Sequence, residues 1–332
     1  MATIKGPLSG KILSDASPDG RKPAWDTEAP QREQVMDWVM HDEHEQVQSA
    51  FDRFDLPTTN LLHYANSASM VDRLVGFGAD VNQTYHDFRE LDPDREEPVT
   101  DHSPYTPLQM AVAREKPEAF DRLLEHGADF EIGGDQRPLM LAVDRPPSHG
   151  PEFARMAETL LDLGARVHTE PGEKPVLNLA VENNQQVPLV KRLLDSGADP
   201  QQGFDNEGTP LHHVKDTQPG VSDLLLDYGA NKNTPKSDED PMTPLESAML
   251  RGQVKTVGRL IEREADVAQV VHSENWARAQ NSNPQRIREA GIREAAEIVH
   301  VEYEKRTLRQ AAAEATHEQE QAPVPRKIRQ RM

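Results

Sequence analysis

Two short stretches of the sequence bring histidine close to other polar side chains, as a site for chemistry would. In the first, His41 and His44 are three residues apart with Asp42 and Glu43 between them. On a helix the two rings would share a face. The sequence offers no identifiable third metal ligand, and Glu43 is not placed as the glutamate of a zinc protease is. We therefore expect the exposed face of a helix here and no metal site.

The second stretch, from His212 to Asp216, contains two histidines, a lysine and an aspartate. No nucleophile or oxyanion-stabilising group is identifiable beside it. The chain also lacks a phosphate-binding loop, a dinucleotide fingerprint and a nucleophile elbow. It has no cysteine, which excludes disulfides, thiolate metal sites and cysteine nucleophiles. We expect no catalytic residue and no cofactor.

The elements that position these histidines recur along the chain. Each starts with Thr-Pro-Leu or a variant of it, continues as an apolar helical pattern, and ends in Leu-Leu followed by Gly-Ala-Asp or a variant. Thr can cap a helix, Pro suits a first helical turn, and Gly takes the left-handed conformation after a last turn. The six starts lie 46, 31, 38, 34 and 34 residues apart, counted at Leu62, Leu108, Leu139, Leu177, Leu211 and Leu245.

This pattern resembles the ankyrin-repeat family from about Asn60 to Val267, with its period of roughly 33 residues. The resemblance implies an all-α fold: a solenoid of about six helix-turn-helix repeats, whose inner helices and finger loops form a concave surface that binds proteins. It also implies a structural role for the histidine of the Thr-Pro-Leu-His element, here His63 and His212. In that family the ring holds adjacent turns together by hydrogen bonding.

The regions beside the repeats should cover the ends of the array, because an end repeat otherwise exposes an apolar face. We expect a disordered segment at residues 1–30, a cap helix at 31–58, the repeats at 59–268, a C-terminal helical cap at 269–313, and a disordered basic tail at 314–332. The proline-rich insert from Arg145 to Pro151 is predicted to be a surface loop.

Charge is unevenly distributed. The formal net charge is −20, and from Trp276 onward the chain carries 11 basic and 8 acidic residues, which leaves −23 for the first 275. An acidic body is poorly matched to nucleic acid and to an anionic membrane, so we expect neither. A protein partner with a basic surface fits better. No apolar run is long enough for a membrane span or a Sec-type signal, and the lack of cysteine favours the cytoplasm.

The finger loops between repeats carry aromatic and acidic side chains that could bind such a partner. The longest is the first, from Val81 to Tyr105. Aromatic anchors inside an acidic rim are suited to a basic protein surface. The predicted partner-binding residues are Tyr85, Phe88, Glu90, Glu96, Glu97, Tyr105, Phe130, Phe204, Asp205, Asp238 and Glu239.

The leading hypothesis is a non-catalytic scaffold that binds a basic protein through its acidic concave face and its fingers. The alternative is a bacterial or phage effector or inhibitor, exported into a host cell by a non-Sec system and targeted by its repeats. Arg326, Arg329 and Arg331 motivate it, because they resemble the basic tails of some type IV secretion substrates. The sequence does not set the oligomeric state.

Overall fold

A computed structural model describes residues 29–84, 105–133, 136–169, 172–218, 220–280 and 287–321. Within these ranges the regular secondary structure is helical. The described residues form no β-strand, and one isolated β-bridge joins Phe204 to Gly208. None of the helices described combines the length and the apolar character needed to span a membrane. The chain divides into two compact units: residues 1–185 with 195–198, and residues 186–194 with 199–332.

The described part of the first unit contains eight short α-helices. A four-residue 3-10 helix, Leu61–Tyr64, replaces the inner α-helix of one pair. The helices are α1 Arg32–Met40, α2 His44–Arg53, α3 Ala68–Gly76, α4 Pro107–Ala113, α5 Pro117–Glu125, α6 Pro138–Asp144, α7 Glu152–Asp162 and α8 Val176–Glu182. Contacts of α4 with α5 and of α6 with α7 form two of the pairs, and contacts of α3 with α5, of α4 with α6 and of α6 with α8 join neighbouring pairs.

The sequence explains how α4 begins and how α5 ends. The Thr106 hydroxyl accepts the Gln109 amide, and the Gln109 side chain accepts the Thr106 amide, which completes a capping box with Pro107 in the first turn. After α5, Gly127 has φ of +81°, and the Ala128 amide donates to the Leu123 carbonyl. Of the paired leucines near the end of α5, Leu123 is fully buried and Leu124 is half-buried.

The second unit contains α9 Val187–Asp195, apart from its last residue, and the helices that follow it. A three-residue 3-10 helix, Pro210–His212, stands where an inner α-helix is expected. The α-helices are α10 Val221–Asp227, α11 Pro244–Leu250, α12 Val254–Glu262, α13 Val267–Val271, α14 Glu274–Gln280 and α15 Ile287–Gln321. The long α15 packs on α11, α12, α13 and α14.

Two contacts fix α15, one with the turn between α11 and α12 and one with the end of α12. At Gly252 and Gly291 the backbones meet: a Cβ on Gly252 would lie 3.0 Å from the Gly291 carbonyl carbon, and one on Gly291 would lie 3.1 Å from the Gly252 oxygen. Farther along, the Arg306 guanidinium donates to the carbonyls of Ile261 and Ala265, at 3.1 and 2.8 Å. These carbonyls, in the last turn of α12 and just after it, therefore have hydrogen-bond partners.

The structure differs from the sequence-based expectations at both flanks. The predicted cap helix at 31–58 is two helices, because the chain turns at Asp42, whose φ is +56°. The C-terminal helix continues to Gln321, past the predicted boundary at 313, so residues 314–321 are helical and not the start of a disordered tail. The predicted disordered segment at 1–30 lies outside the described residues except for its last two, as does the tail from 322.

Candidate functional site

Five of the fingers described, all except the one that starts at Arg166, begin with a side chain that closes a tight turn. In the first unit, Asp80 accepts the Asn82 amide and Asp129 accepts the Glu131 amide, at 2.9 and 2.8 Å. In the second, the same turn is made by Asp199 with Gln201, Asn231 with Asn233, and Asp266 with Ala268. Carboxylates and amides of this kind mimic a backbone turn. The aspartates of the Gly-Ala-Asp pattern are therefore structural.

Neighbouring fingers are joined by a second set of hydrogen bonds. In the first unit, the Asn82 side chain accepts the Asp129 amide and the Glu131 side chain accepts the Arg166 amide, each at 2.7 Å. In the second unit, the Asn233 side chain accepts the Asp266 amide at 2.9 Å. Each bond links one finger to the start of the next. The fingers are thus held in fixed positions, as a recognition surface requires.

The side chain directly after the first conserved leucine of a repeat start, at Leu62, Leu108 and Leu211, reaches from one helix pair to the next. His63 Nε2 lies 3.0 Å from the Tyr105 carbonyl, Gln109 Nε2 donates to the Gln136 carbonyl at 2.8 Å, and in the second unit His212 Nε2 lies 3.1 Å from the Met242 carbonyl. The prediction that His63 and His212 hold adjacent turns is confirmed. Gln109 makes the same bond with an amide.

Burial keeps both histidines neutral. Loss of solvation lowers the pKa of His63 below its ordinary value, and it lowers the pKa of His212 to about 4. The Thr209 amide donates to His212 Nδ1 at 3.1 Å, so the proton of the neutral ring lies on Nε2, which donates to Met242. A second proton, on Nδ1, would point at the Thr209 amide N–H, which is itself a donor and could not accept it. The ring is suited to a structural bond, and its low pKa does not indicate catalysis.

Arg137 is a buried connector that the sequence analysis did not identify. Its side chain is 2% exposed, and it donates to the carbonyls of Arg166 and His168. Glu131 and Glu173 lie 3.3 and 3.6 Å from its guanidinium and balance its charge. The available signal was an arginine before Pro138-Leu139, where the other starts of the Thr-Pro-Leu type have a capping threonine.

The predicted partner-binding residues of the longest finger, Tyr85, Phe88, Glu90, Glu96 and Glu97, lie outside the described residues. Tyr105 and Phe130, in the first unit, are half-buried, and the Tyr105 carbonyl accepts from His63.

In the second unit, Phe204 is half-buried and begins a tight turn. The Phe204 amide N–H closes this turn by donating a hydrogen bond to the Gly208 carbonyl, at 3.3 Å. Asp205, Asp238 and Glu239 are exposed. Within the part of the chain that is described, none of these three carboxylates has a hydrogen bond or an ion pair. They therefore differ from the turn-forming aspartates, whose oxygens are engaged.

Lys236 lies among these acidic residues and was not predicted. Its ammonium is 3.7 Å from Asp240, and its Cγ lies 2.9 Å from where a Cβ on Gly208 would be. The two fingers of the second unit that carry Asp205 and Asp238 therefore meet at Gly208 and Lys236. This contact brings the three exposed carboxylates onto neighbouring loops of one unit.

The histidines that first suggested chemistry have local partners. His41 Nδ1 contacts the Asp37 carbonyl at 2.8 Å, and His44 Nε2 lies 3.1 Å from the Ser69 hydroxyl. Among the residues that the structure describes, no group of three histidine, aspartate or glutamate side chains could hold a metal ion.

Comparison with known families identifies the repeats. The family model for ankyrin repeats, in three copies, matches residues 177–270. No curated protein matches the sequence. The matched region includes the Thr209 and Thr243 starts, the His212 contact and the finger turns of the second unit. These features and the family match together show that the chain is an ankyrin-repeat protein.

Proposed function

We propose that this protein is a scaffold of about six repeats, with helical caps at both ends, that binds a basic surface of another protein through its acidic fingers. Ankyrin repeats generally mediate interactions between proteins, and the family is typically non-catalytic. The cytoplasm is the proposed location, since a chain without cysteine suits a reducing compartment.

The observation that carries the proposal is the state of the finger carboxylates in the second unit. The turn-forming Asp199 and Asp266 use an oxygen to accept backbone amides. Asp205, Asp238 and Glu239 are exposed and have no partner among the described residues. Carboxylates that do not serve the fold remain able to pair with lysine or arginine of a second protein.

Aromatic side chains beside these carboxylates support the same function. Phe204 precedes Asp205 directly, and Phe130 follows Asp129 in a finger of the first unit. Both rings are half-buried, so each presents part of its surface at a fixed place. Aromatic residues often supply much of the binding energy of an interface, while surrounding charges speed association. Tyr85, Phe88, Glu90, Glu96, Glu97 and Tyr105 belong to the proposed surface on sequence grounds.

Affinity capture with a matched pair of variants tests the proposal. The immobilised protein is incubated with lysate of its native cells, and bound proteins are eluted by rising salt. We expect a partner of net positive charge that binds wild type, is released as salt screens the contact, and is lost with Asp238→Lys/Glu239→Lys.

The control is Glu158→Lys/Glu294→Lys, which makes the same change of net charge at two exposed residues outside the fingers. It should retain the partner. Equal retention by both double variants, or an acidic partner insensitive to salt, would show that the acidic fingers do not form the binding surface.

A further inference from the structure

Three residues of the first unit depart from the repeat pattern, and they lie in contact with one another. Most other repeats have threonine where Arg137 stands, asparagine or glutamine where Glu131 stands, and aspartate or asparagine where Arg166 stands. The Arg137 guanidinium and the Arg166 Nε lie 3.3 and 3.7 Å from the same Glu131 oxygen. Departures from local sequence rules are expected at functional or strained sites. This cluster is therefore a candidate for a role in function.

Arginine at position 137 does not serve the start of its own helix, α6. The Thr106 and Thr243 hydroxyls accept backbone amides at 3.2 and 3.3 Å, whereas the Arg137 side chain makes no cap hydrogen bond. Loss of such a cap costs about 1 kcal/mol. The Arg137 side chain is also 2% exposed, and removing a charge from water can cost more than its ion pairs return. Neither helix capping nor burial favours arginine here.

Arg137 instead binds the two fingers that start at Asp129 and Arg166. Its guanidinium donates to the carbonyls of Arg166 and His168, at 3.0 and 3.4 Å. The second oxygen of Glu131 accepts the Arg166 amide at 2.7 Å. The finger that starts at Arg166 has no aspartate to close its own turn. Arg137 and Glu131 therefore hold the backbone of this finger from the neighbouring repeat.

Phe130 lies between two residues that this network fixes. Before it, the Asp129 amide donates to the Asn82 side chain at 2.7 Å, and the Asp129 carboxylate accepts the Glu131 amide at 2.8 Å. After it, the Glu131 carboxylate is held by Arg137. The backbone on both sides of the half-buried ring is thus fixed. An aromatic anchor that is held in place before binding loses less conformational entropy when a partner binds.

We propose that Arg137 is a positioning residue, which holds Phe130 in the orientation that binds the partner. This role rests on the proposed function, because it concerns the same finger surface. The buried Arg137 side chain acts through Glu131 and through the backbone of the finger that starts at Arg166. Loss of the guanidinium should therefore weaken binding where the Phe130 ring is present, and it should leave α6 folded.

Amide hydrogen exchange tests the positioning. Arg137→Thr introduces the capping residue of other repeats, and the non-helical backbone at this position, with φ −51° and ψ 148°, suits a cap. We expect exchange in α6 to stay unchanged and the Arg166 amide to exchange about tenfold faster. Arg137→Lys keeps the charge but lacks the fork that binds two carbonyls, so it should show the same increase. The control Arg145→Thr removes an exposed arginine and should match wild type. Unchanged exchange in both Arg137 variants would overturn the proposal.

Affinity capture from lysate of the native cells tests the role in binding, with Arg137→Thr, Phe130→Ala and the two changes together. Each single change should reduce retention of the salt-eluted basic protein about fivefold, and the double variant should retain no less than Phe130→Ala does. Additive losses, or equal retention by Arg137→Thr and the control Arg145→Thr, would show that Arg137 does not act through the ring, and would leave the proposed function intact. If wild type retained no basic protein, the proposed function would fail and this role with it.

Discussion

Two segments with the same plan, one in each unit, differ in how they are held. In the segment at residues 106–129, Gln109 donates an amide hydrogen to the next turn, and the inner helix α4 has seven residues. In the segment at 209–231, His212 makes the corresponding bond, and the inner element is a 3-10 helix of three residues. The bond is equivalent, but only the imidazole titrates. The second arrangement should therefore respond to acid and the first should not.

Among the changes considered, truncation of a buried leucine in either segment should lower the free energy of unfolding most. Leu123 and Leu225 occupy corresponding positions and are both fully buried. Replacing either with Ala should lower the free energy of unfolding by about 2 to 5 kcal/mol through the cavity it leaves. Leu225→Ala should be nearer the lower value, because the shorter elements around it can close the cavity more easily. Chemical denaturation measures both losses.

The half-buried neighbours Leu124 and Leu226 provide the controls. Their replacement with Ala should cost less than replacement of the buried partner. If the two positions in a segment were equally sensitive, the helices would not pack as described.

The second largest difference between the two segments is expected in how their stability depends on pH. The pKa of His212 falls from an ordinary 6.5 to about 4 on folding, so between these pH values the unfolded chain binds more protons than the folded one. Stability from this group is fully present above pH 6.5, falls as pH decreases, and is lost by about pH 4. The largest loss is about 3 kcal/mol. His212→Gln should remove this part of the pH dependence of unfolding.

The reverse exchange sharpens the test. Gln109→His should give the segment at 106–129 an acid sensitivity that it lacks in wild type, because the new ring would occupy an equally buried position. An unchanged acid dependence in both variants would mean that the position of the ring does not determine it. His63 remains in each and supplies the common background.

Loss of the threonine hydroxyls should have a smaller effect. The Thr106 hydroxyl accepts the Gln109 amide at the start of α4, and the Thr209 hydroxyl lies 3.0 Å from His212 Nδ1. Thr106→Val and Thr209→Val should each cost about 1 kcal/mol, as loss of a helix cap does. Thermal melts at neutral pH measure both. Thr→Ser at the same positions keeps the hydroxyl and should recover most of the loss.

The smallest difference is expected in the fingers that follow the two segments. Asp129 closes a turn, whereas Asp238 is exposed and has no partner among the described residues. Asp129→Ala should cost about 1 kcal/mol of stability, and Asp238→Ala less than about 0.5. Thermal melting compares the two directly. A larger loss at Asp238 would mean that its carboxylate supports the fold and is not reserved for a partner.

Local signals explain why the helix pairs could be predicted from the sequence. Thr-Pro-Leu sets a helix start and Gly-Ala-Asp sets a helix end within a few residues, so their positions fix the element order. The buried histidines were interpretable for the same reason, since His63 and His212 stand in a known place in the repeat. The exposed carboxylates of the candidate surface could be listed, but not separated from the turn-forming ones, because both are aspartates in polar loops.

Contacts between distant residues were not predictable in the same way. Arg137 binds carbonyls 29 and 31 residues away, and no local pattern specifies such a partner. The break at Asp42 depends on a left-handed residue that is not glycine, so the helical spacing on either side suggested one helix. The extension of α15 to Gln321 was missed because its polar sequence resembles that of a tail.

The contact of Gly252 with Gly291 also affects the orientation of α15 relative to α11 and α12. A Cβ at either glycine would lie only 3.0 to 3.1 Å from the backbone of the other, so a side chain there would push α15 away from the turn before α12. From Gly291 to Gln321 the helix extends about 45 Å, so a small change of its direction at Gly291 moves its other end by a large distance. A slip of one residue at the glycines would rotate everything beyond them by about 100° and move the exposed end sideways. The two glycines thus set the direction of α15 within the second unit.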